Sequence, residues 1–438
     1  MKGKYYIKNF LFFAKAKKHP YWTDIPERSW MDWHWQIKNR ITDPEVLQKL
    51  LSLSDNETAN IQKSLKILRM AISPYYLSQI DRDDSKCPIR MQSIPTPAET
   101  IISKADCVDP LHEEEDCPVR GLEGVMTHRY PDRLILYATY QCSMYCRHCT
   151  RRMHAGETDV PTPLPLIEKA VRYIETAKNV RDVLISGGDP FTLETSHLEI
   201  IIKRLRRIPH VEIVRIGTRV PVVMPMRITD ELLSMLRKYH PIWINTNFNH
   251  PKEMTNLASE ACRKIADAGI PLGNQSVLLR GINNHPLIIK RLVKFLVANR
   301  VRPYYLYQCD ISQGIEHFRT KISEGVEIIE NLRGHTSGFA IPVFAVDGLG
   351  GGGKTPVGPN YVVSQGNHKW VFRNYEGLMF SYTEPKDYTY EPPANLEKYI
   401  DPEDVKHVQG VAELLANNEK ITIIPQDLPR LNRRVRGK

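Results

Sequence analysis

Six short apolar runs, at residues 134–138, 182–185, 211–216, 242–245, 272–278 and 303–307, divide the middle of this 438-residue chain into regular units. From the second run onward they recur about every thirty residues, the length of one strand plus one covering helix. Stretches with amphipathic helical spacing fill the gaps, at 164–177, 197–208, 230–239, 252–268 and 286–299. The runs are near-continuous rather than alternating, as parallel strands covered on both faces require. Right-handed crossovers keep the helices outside and curl such a sheet, so the repeat predicts an α/β fold, a partial (β/α)6-type barrel. Ligands in that architecture meet the C-terminal ends of the strands. Polar residues gather there: three cysteines after the first run, Ser186-Gly187-Gly188-Asp189 after the second, Asn245-Thr246-Asn247 after the fourth, Gln275 on the fifth and Asp310 after the sixth.

The flanks read differently, and the chain is expected to comprise a helical N-terminal region (1–130), the barrel core (131–310), a lysine-bearing segment packed on the barrel (311–385) and a C-terminal extension with a basic tail (386–438). Thr42-Asp43-Pro44-Glu45 and Ser54-Asp55 open helices, the second expected to align Ile61, Leu65, Leu68 and Ile72. Trp22, Trp30, Trp33 and Trp35 are packing anchors. The run 107–117, with Glu113, Glu114 and Glu115 in succession, is expected to be a solvated loop. Beyond residue 310 a helix is expected near 326–332 and strands at 341–346, 361–364, 369–372 and 378–382.

The formal net charge of +10 lies in the ends: residues 1–18 hold six Lys and no acid, and 429–438 hold four Arg and one Lys. The body is near neutral, so no nucleic-acid partner is implied. The apolar run 10–14, bracketed by Lys8 and Lys15, is too short for a membrane span or a signal-peptide core, so a cytoplasmic protein is expected. Five of the eight cysteines (Cys87, Cys107, Cys117, Cys262, Cys309) are scattered and suggest no disulfide framework.

The other three, Cys142-x3-Cys146-x2-Cys149, put soft thiolate ligands on one loop, a set suited to a [4Fe–4S] cluster with one iron left open to a small molecule. The competing reading is zinc completed by His148 or His154, although zinc sites bring their ligands in separated pairs and no second pair occurs. Gly348 to Thr355 matches a phosphate-binding loop literally, which keeps a P-loop nucleotide binder among the alternatives. Pro356, Gly358 and Pro359 oppose the helix such a loop needs at Lys354-Thr355. A lysine on a glycine hinge has another use: its amine can form a Schiff base with pyridoxal phosphate (PLP) and swing away when a substrate amine displaces it.

Taken together, Thr127 to Arg133, Cys142 to Arg152, Ile185 to Asp189, Pro271 to Arg280, Val301 to Tyr305 and Gly351 to Pro356 resemble the lysine 2,3-aminomutase family of radical S-adenosylmethionine (SAM) enzymes, in one collinear register. The resemblance implies a cluster on Cys142, Cys146 and Cys149; SAM contacts from His148, Ser186, Gly187, Gly188, Asp189 and Gln275; and PLP bound covalently by Lys354, with its phosphate held by Arg129, Tyr130, Arg133 and Tyr307. It implies an isomerase in which a 5′-deoxyadenosyl radical takes hydrogen from C3 of an amino acid and the amino group moves from C2 to C3. Arg151 is a bidentate partner for the substrate carboxylate. Asp310 and Asp347 end successive expected strands, where lysine-type members hold the ε-ammonium and glutamate-acting relatives replace the acids. L-lysine is therefore the expected substrate and L-arginine the alternative, with a non-catalytic iron–sulfur protein as the reading from another class. The resemblance further implies a homo-oligomer and a flavodoxin- or ferredoxin-like reductant. His285 stands alone and no cysteine follows Cys309, so no structural zinc is expected.

Overall fold

A computed structural model describes residues 14–156 and 158–385; the extension 386–438 and its basic tail lie outside the described residues. Nine strands pair in sequence order into one sheet: β1 (Met126–Tyr130), β2 (Arg133–Thr139), β3 (Asp182–Gly187), β4 (Ile213–Gly217), β5 (Ile242–Thr246), β6 (Leu272–Leu278), β7 (Val301–Gln308), β8 (Val343–Gly348) and β9 (Gly353–Pro356). β2 to β8 run parallel, while β1 and β9 flank them antiparallel. The expected (β/α) repeat is present, with a seventh parallel strand. The strand expected at 341–346 joins the sheet itself, pairing Leu306 with Phe344 and Tyr307 with Ala345.

Register explains why the apolar runs suffice. Leu136, Ile185, Ile216, Ile244 and Leu272 lie side by side on successive strands, all buried. Each such side chain contributes about 1.5–3 kcal/mol on burial. Helices cover this row from outside; Leu164–Thr176 buries Ile167, Ala170, Val171 and Ile174, the spacing of one helical face. One apolar core continues from the barrel into the N-terminal helices through Trp22, Trp30, Trp33, Leu47 and Leu50.

The N-terminal region is helical where caps were legible. Asp43 accepts from Glu45 N at 2.8 Å and opens Pro44–Leu51, and Ser54 forms a capping box with Glu57 over Asp55–Ser64. Two expectations fail here. The second helix stops at Ser64, so Leu68 and Ile72 lie beyond it, and Ile72 instead pairs with Ile41. The region is also not helical to its end, because 126–130 is strand β1, hairpinned onto β2. Its sequence, Met-Thr-His-Arg-Tyr, has no apolar run to betray a strand.

Strands β10 (Val362–Gly366), β11 (Lys369–Arg373) and β12 (Met379–Thr383) form a separate small sheet. Among the described residues, no helix is long and apolar enough to cross a membrane.

Candidate active site

The loop after β2 carries Cys142, Cys146 and Cys149 as free thiols, and the N-terminal region grips its backbone. Tyr145 N donates to Ala71 O at 3.1 Å and Arg147 N to Gln92 O at 3.0 Å, while Arg40 Nη1 reaches Cys142 O at 2.6 Å. Arg147, wholly buried, donates to Glu99 through Nε and Nη2 at 2.9 and 2.6 Å, and to the carbonyls of Arg69 and Leu68 at 2.8 and 3.1 Å. Arg152 joins the same carboxylate at 2.8 Å. These bonds give the early helix stop a reason: the carbonyls of Leu68, Arg69 and Ala71 leave the helical ladder to serve the cysteine loop. Replacing Glu99 with Ala strands two buried guanidinium groups, and the expected loss in denaturant unfolding is about 3–5 kcal/mol.

Burial, with Cys146 adding to it, pushes the Cys149 thiol up to about 11. The Cys142 thiol is pushed well above its ordinary range by burial and then by Asp189, Cys149 and Cys146. Half-buried thiols that repel one another's ionisation become thiolates together only around a cationic centre, and bound iron supplies one. A further cation already faces them: Arg219 Nη1 lies 2.7 Å from Cys146 Sγ. Glu253 Oε1 and Gln92 Oε1 hold its Nη2 at 2.8 and 2.6 Å. This donor set fits an iron–sulfur cluster.

The residues expected around SAM fall into two kinds. His148 lies buried beside the loop, its Nε2 3.3 Å from Asn249 Nδ2 and its Nδ1 without a partner. Burial, then Arg219 and Arg152, holds it well below the usual imidazole range, so it is neutral. Ser186, next to last on β3, faces Arg151 Nη1 at 3.5 Å, and Gln275 Nε2 reaches Tyr307 OH at 3.3 Å. Gly187, Gly188 and Asp189 are used within the protein. A Cβ at Gly187 would stand 2.3 Å from Thr139 O, and one at Gly188 would stand 2.4 Å from Gln141 O. The glycine pair therefore lets β3 end tightly against the cysteine loop. Asp189 accepts from Thr218 Oγ1 at 2.6 Å and from the amides of Arg219 and Phe191 at 2.7 and 3.0 Å.

Lys354 is the second residue of β9, paired opposite Asp347 on β8. A strand, not a helix, follows the glycine run, which removes the P-loop reading. Lys354 Nζ lies 3.4 Å from Asp347 Oδ2 and 5.4 Å from the centre of the Tyr307 ring, and its backbone N donates to Tyr130 OH at 3.1 Å. A Cβ at Gly353 would come within 2.9 Å of that hydroxyl, so the hinge glycine is required by the approach. Arg133 stacks on Tyr130 at 4.0 Å. Arg129, expected at a phosphate, gives its Nε to Asp116 at 2.7 Å. A lysine amine, two arginines and two tyrosines thus converge, a donor set that fits a phosphorylated aldehyde cofactor. Nearby, Asp347 Oδ1 is buried without a partner. Asp310 accepts from Thr150 Oγ1 at 2.6 Å, and burial, with Asp347 adding to it, pushes its carboxyl up to about 6.

Arg151 is not solvated and waiting. Glu113 takes its Nε and Nη2 at 2.7 and 2.6 Å. The expectation that 107–117 is a solvated loop therefore holds only in part: Glu114 and Glu115 are exposed, whereas Glu113 is held by Arg151 and Asp116 by Arg129. Sequence reading missed Glu113 and Arg219. An arginine just past the third apolar run was the available sign of Arg219; nothing local marked Glu113.

Barrel and three-thiol loop define a radical SAM protein, and the Radical SAM superfamily model matches residues 136–292. A second model, described as Lysine-2,3-aminomutase, matches residues 329–438. The L-lysine 2,3-aminomutase of Fusobacterium nucleatum is 55% identical over 94% of this chain and 95% of its own. That of Clostridium subterminale is 53% identical over 96% and 99%. The glutamate 2,3-aminomutase of Clostridioides difficile is 46% identical over 85% and 86%. This chain belongs to the lysine 2,3-aminomutase family.

Proposed function

We propose that this protein is an L-lysine 2,3-aminomutase, an isomerase that converts L-lysine to L-β-lysine with a [4Fe–4S] cluster, SAM and PLP. The carrying observation is the carboxylate pair Asp310 and Asp347 beside Lys354, in the same mouth as three thiols and Arg151. Two neighbouring acids favour a cationic side chain and repel the carboxylate of glutamate.

In this reading Cys142, Cys146 and Cys149 hold the cluster. His148, Ser186 and Gln275 face SAM, while Gly187, Gly188 and Asp189 shape the loop behind it. Lys354 holds PLP, with Arg129, Tyr130, Arg133 and Tyr307 around its phosphate and ring. When bound, these groups supply a carbon-centred radical that removes hydrogen and a conjugated ring that lets the amino group migrate. The chain's own part is to bind and exclude. Arg151 orients the α-carboxylate, Asp310 and Asp347 fix the far ammonium, and the two ends together set which carbon faces the cluster. The barrel wall and the 107–117 strap keep water and quenchers out. A homo-oligomer and a flavodoxin- or ferredoxin-like electron donor belong to the same proposal.

The test is anaerobic reconstitution with iron, sulfide and PLP, then SAM and dithionite, with lysine and arginine supplied separately. β-Lysine as the product carries the proposal. β-Arginine alone would keep the chemistry and overturn the substrate, and a protein that takes up no PLP would overturn the whole reading.

A further inference from the structure

We propose that Glu113 is a positioning residue for substrate carboxylate binding: it clamps Arg151 side-on, leaving the guanidinium Nη1 edge to receive the carboxylate of the amino acid. The inference rests on the reading of this mouth as an amino-acid site, and deepens it.

Three observations carry it. The clamp uses two parallel N–H···O bonds, at 2.7 Å from Nε and 2.6 Å from Nη2, the geometry that fixes a guanidinium plane as well as its place. The guanidinium carbon lies over the Tyr137 ring, 5.2 Å from its centre. What is left over is Nη1, which lies 3.5 Å from Ser186 Oγ, near the C-terminal end of β3 where barrel ligands bind.

Glu113 is itself held. Thr127 Oγ1 donates to its carbonyl at 2.6 Å, and His128 N donates to Asp116 O at 2.9 Å. Cys107 is tied into residues 311–313 through Cys107 N to Ile311 O at 2.8 Å and Gln313 N to Cys107 O at 3.0 Å. Gly350 N, in the glycine run before Lys354, donates to Pro110 O at 3.2 Å. A strap fastened at both ends and in its middle makes Glu113 a fixed jaw rather than a stand-in that substrate pushes aside. It also neutralises Arg151, so recognition by the free edge depends on direction more than on net charge.

The experiment uses the PLP-loaded, SAM-free protein and titrates L-lysine and L-lysinamide, reading the change in cofactor absorbance, so no turnover enters. Wild type should prefer lysine, because only its carboxylate fits the Nη1 edge. In Glu113→Ala that preference should shrink about 10- to 100-fold, through weaker lysine binding, with lysinamide nearly unchanged. Cofactor content and melting temperature report folding, and Glu113→Gln, which keeps size and one acceptor, should fall between. Equal weakening of both ligands would reduce Glu113 to a structural role and overturn the proposal. Tighter lysine binding in Glu113→Ala would overturn it the other way, making Glu113 a competitor of the substrate. If wild type itself ignores the carboxylate, the amino-acid reading of the mouth fails, whatever Glu113 does.

Discussion

Cys146→Ala is expected to abolish reductive cleavage of SAM and to lower the iron and sulfide content of the reconstituted protein, while leaving the barrel folded. The loss should exceed the roughly 100-fold typical of removing an outer partner of a metal site, because a ligand goes and not only its support. Cys146 is the thiol that the buried Arg219 addresses at 2.7 Å. Its removal leaves that guanidinium on Glu253 and Gln92, which still satisfy it. The fold therefore has no reason to collapse. Cys262→Ala is the control: it is equally free and fully buried, but lies on the helix Asn256–Asp267. It should keep full iron content and SAM cleavage at a modest stability cost of about 1 kcal/mol. Iron, sulfide and methionine release measured on both variants separate the outcomes. Wild-type iron content and SAM cleavage in Cys146→Ala would remove the three-thiol cluster from the account.

What was legible in the sequence follows a physical division. Strands β2 to β7 were readable because a short apolar run recurs once per strand–helix unit, even though burial alternates along most of them, and the mouth residues because they follow those runs directly. Lys354 was readable because a glycine run followed by prolines leaves few structures open. Other parts depend on contacts made far along the chain. Thr127 and Arg129 on β1 become strand residues only by pairing with β2, and the early stop after Ser64 exists because Arg147 requires the carbonyls of Leu68 and Arg69. Glu113 reads as one of three solvated acids until Arg151, 38 positions on, comes to face it. Asp189 matched a family motif by position, yet its carboxylate is taken up by Thr218, Arg219 and Phe191, which no local pattern announces.

Asp310→Asn is expected to stabilise the ligand-free protein above pH 6 while weakening its hold on lysine. The sign follows from the carboxyl being pushed up to about 6. The folded state then keeps its proton more tightly than the unfolded chain, so stability is fully present at low pH and declines as pH rises from about 4 to about 6. A displacement of about two pH units corresponds to about 3 kcal/mol at the upper end. Asparagine cannot ionise, and its carbonyl can still accept from Thr150, so the variant should escape that decline. Melting curves of wild type and variant should converge near pH 4 and separate by pH 8. Lysine binding should move oppositely. The ammonium needs an ionised Asp310, so wild-type affinity should fall about tenfold per unit below pH 6, and the variant should lose that dependence together with most of the affinity. A variant less stable than wild type at pH 8, or one that binds lysine undiminished, would show that Asp310 is not half of the cation site. The two shifts have one cause: a buried carboxylate beside Asp347 is held ionised against its surroundings, and the arriving ammonium relieves what the empty fold must tolerate.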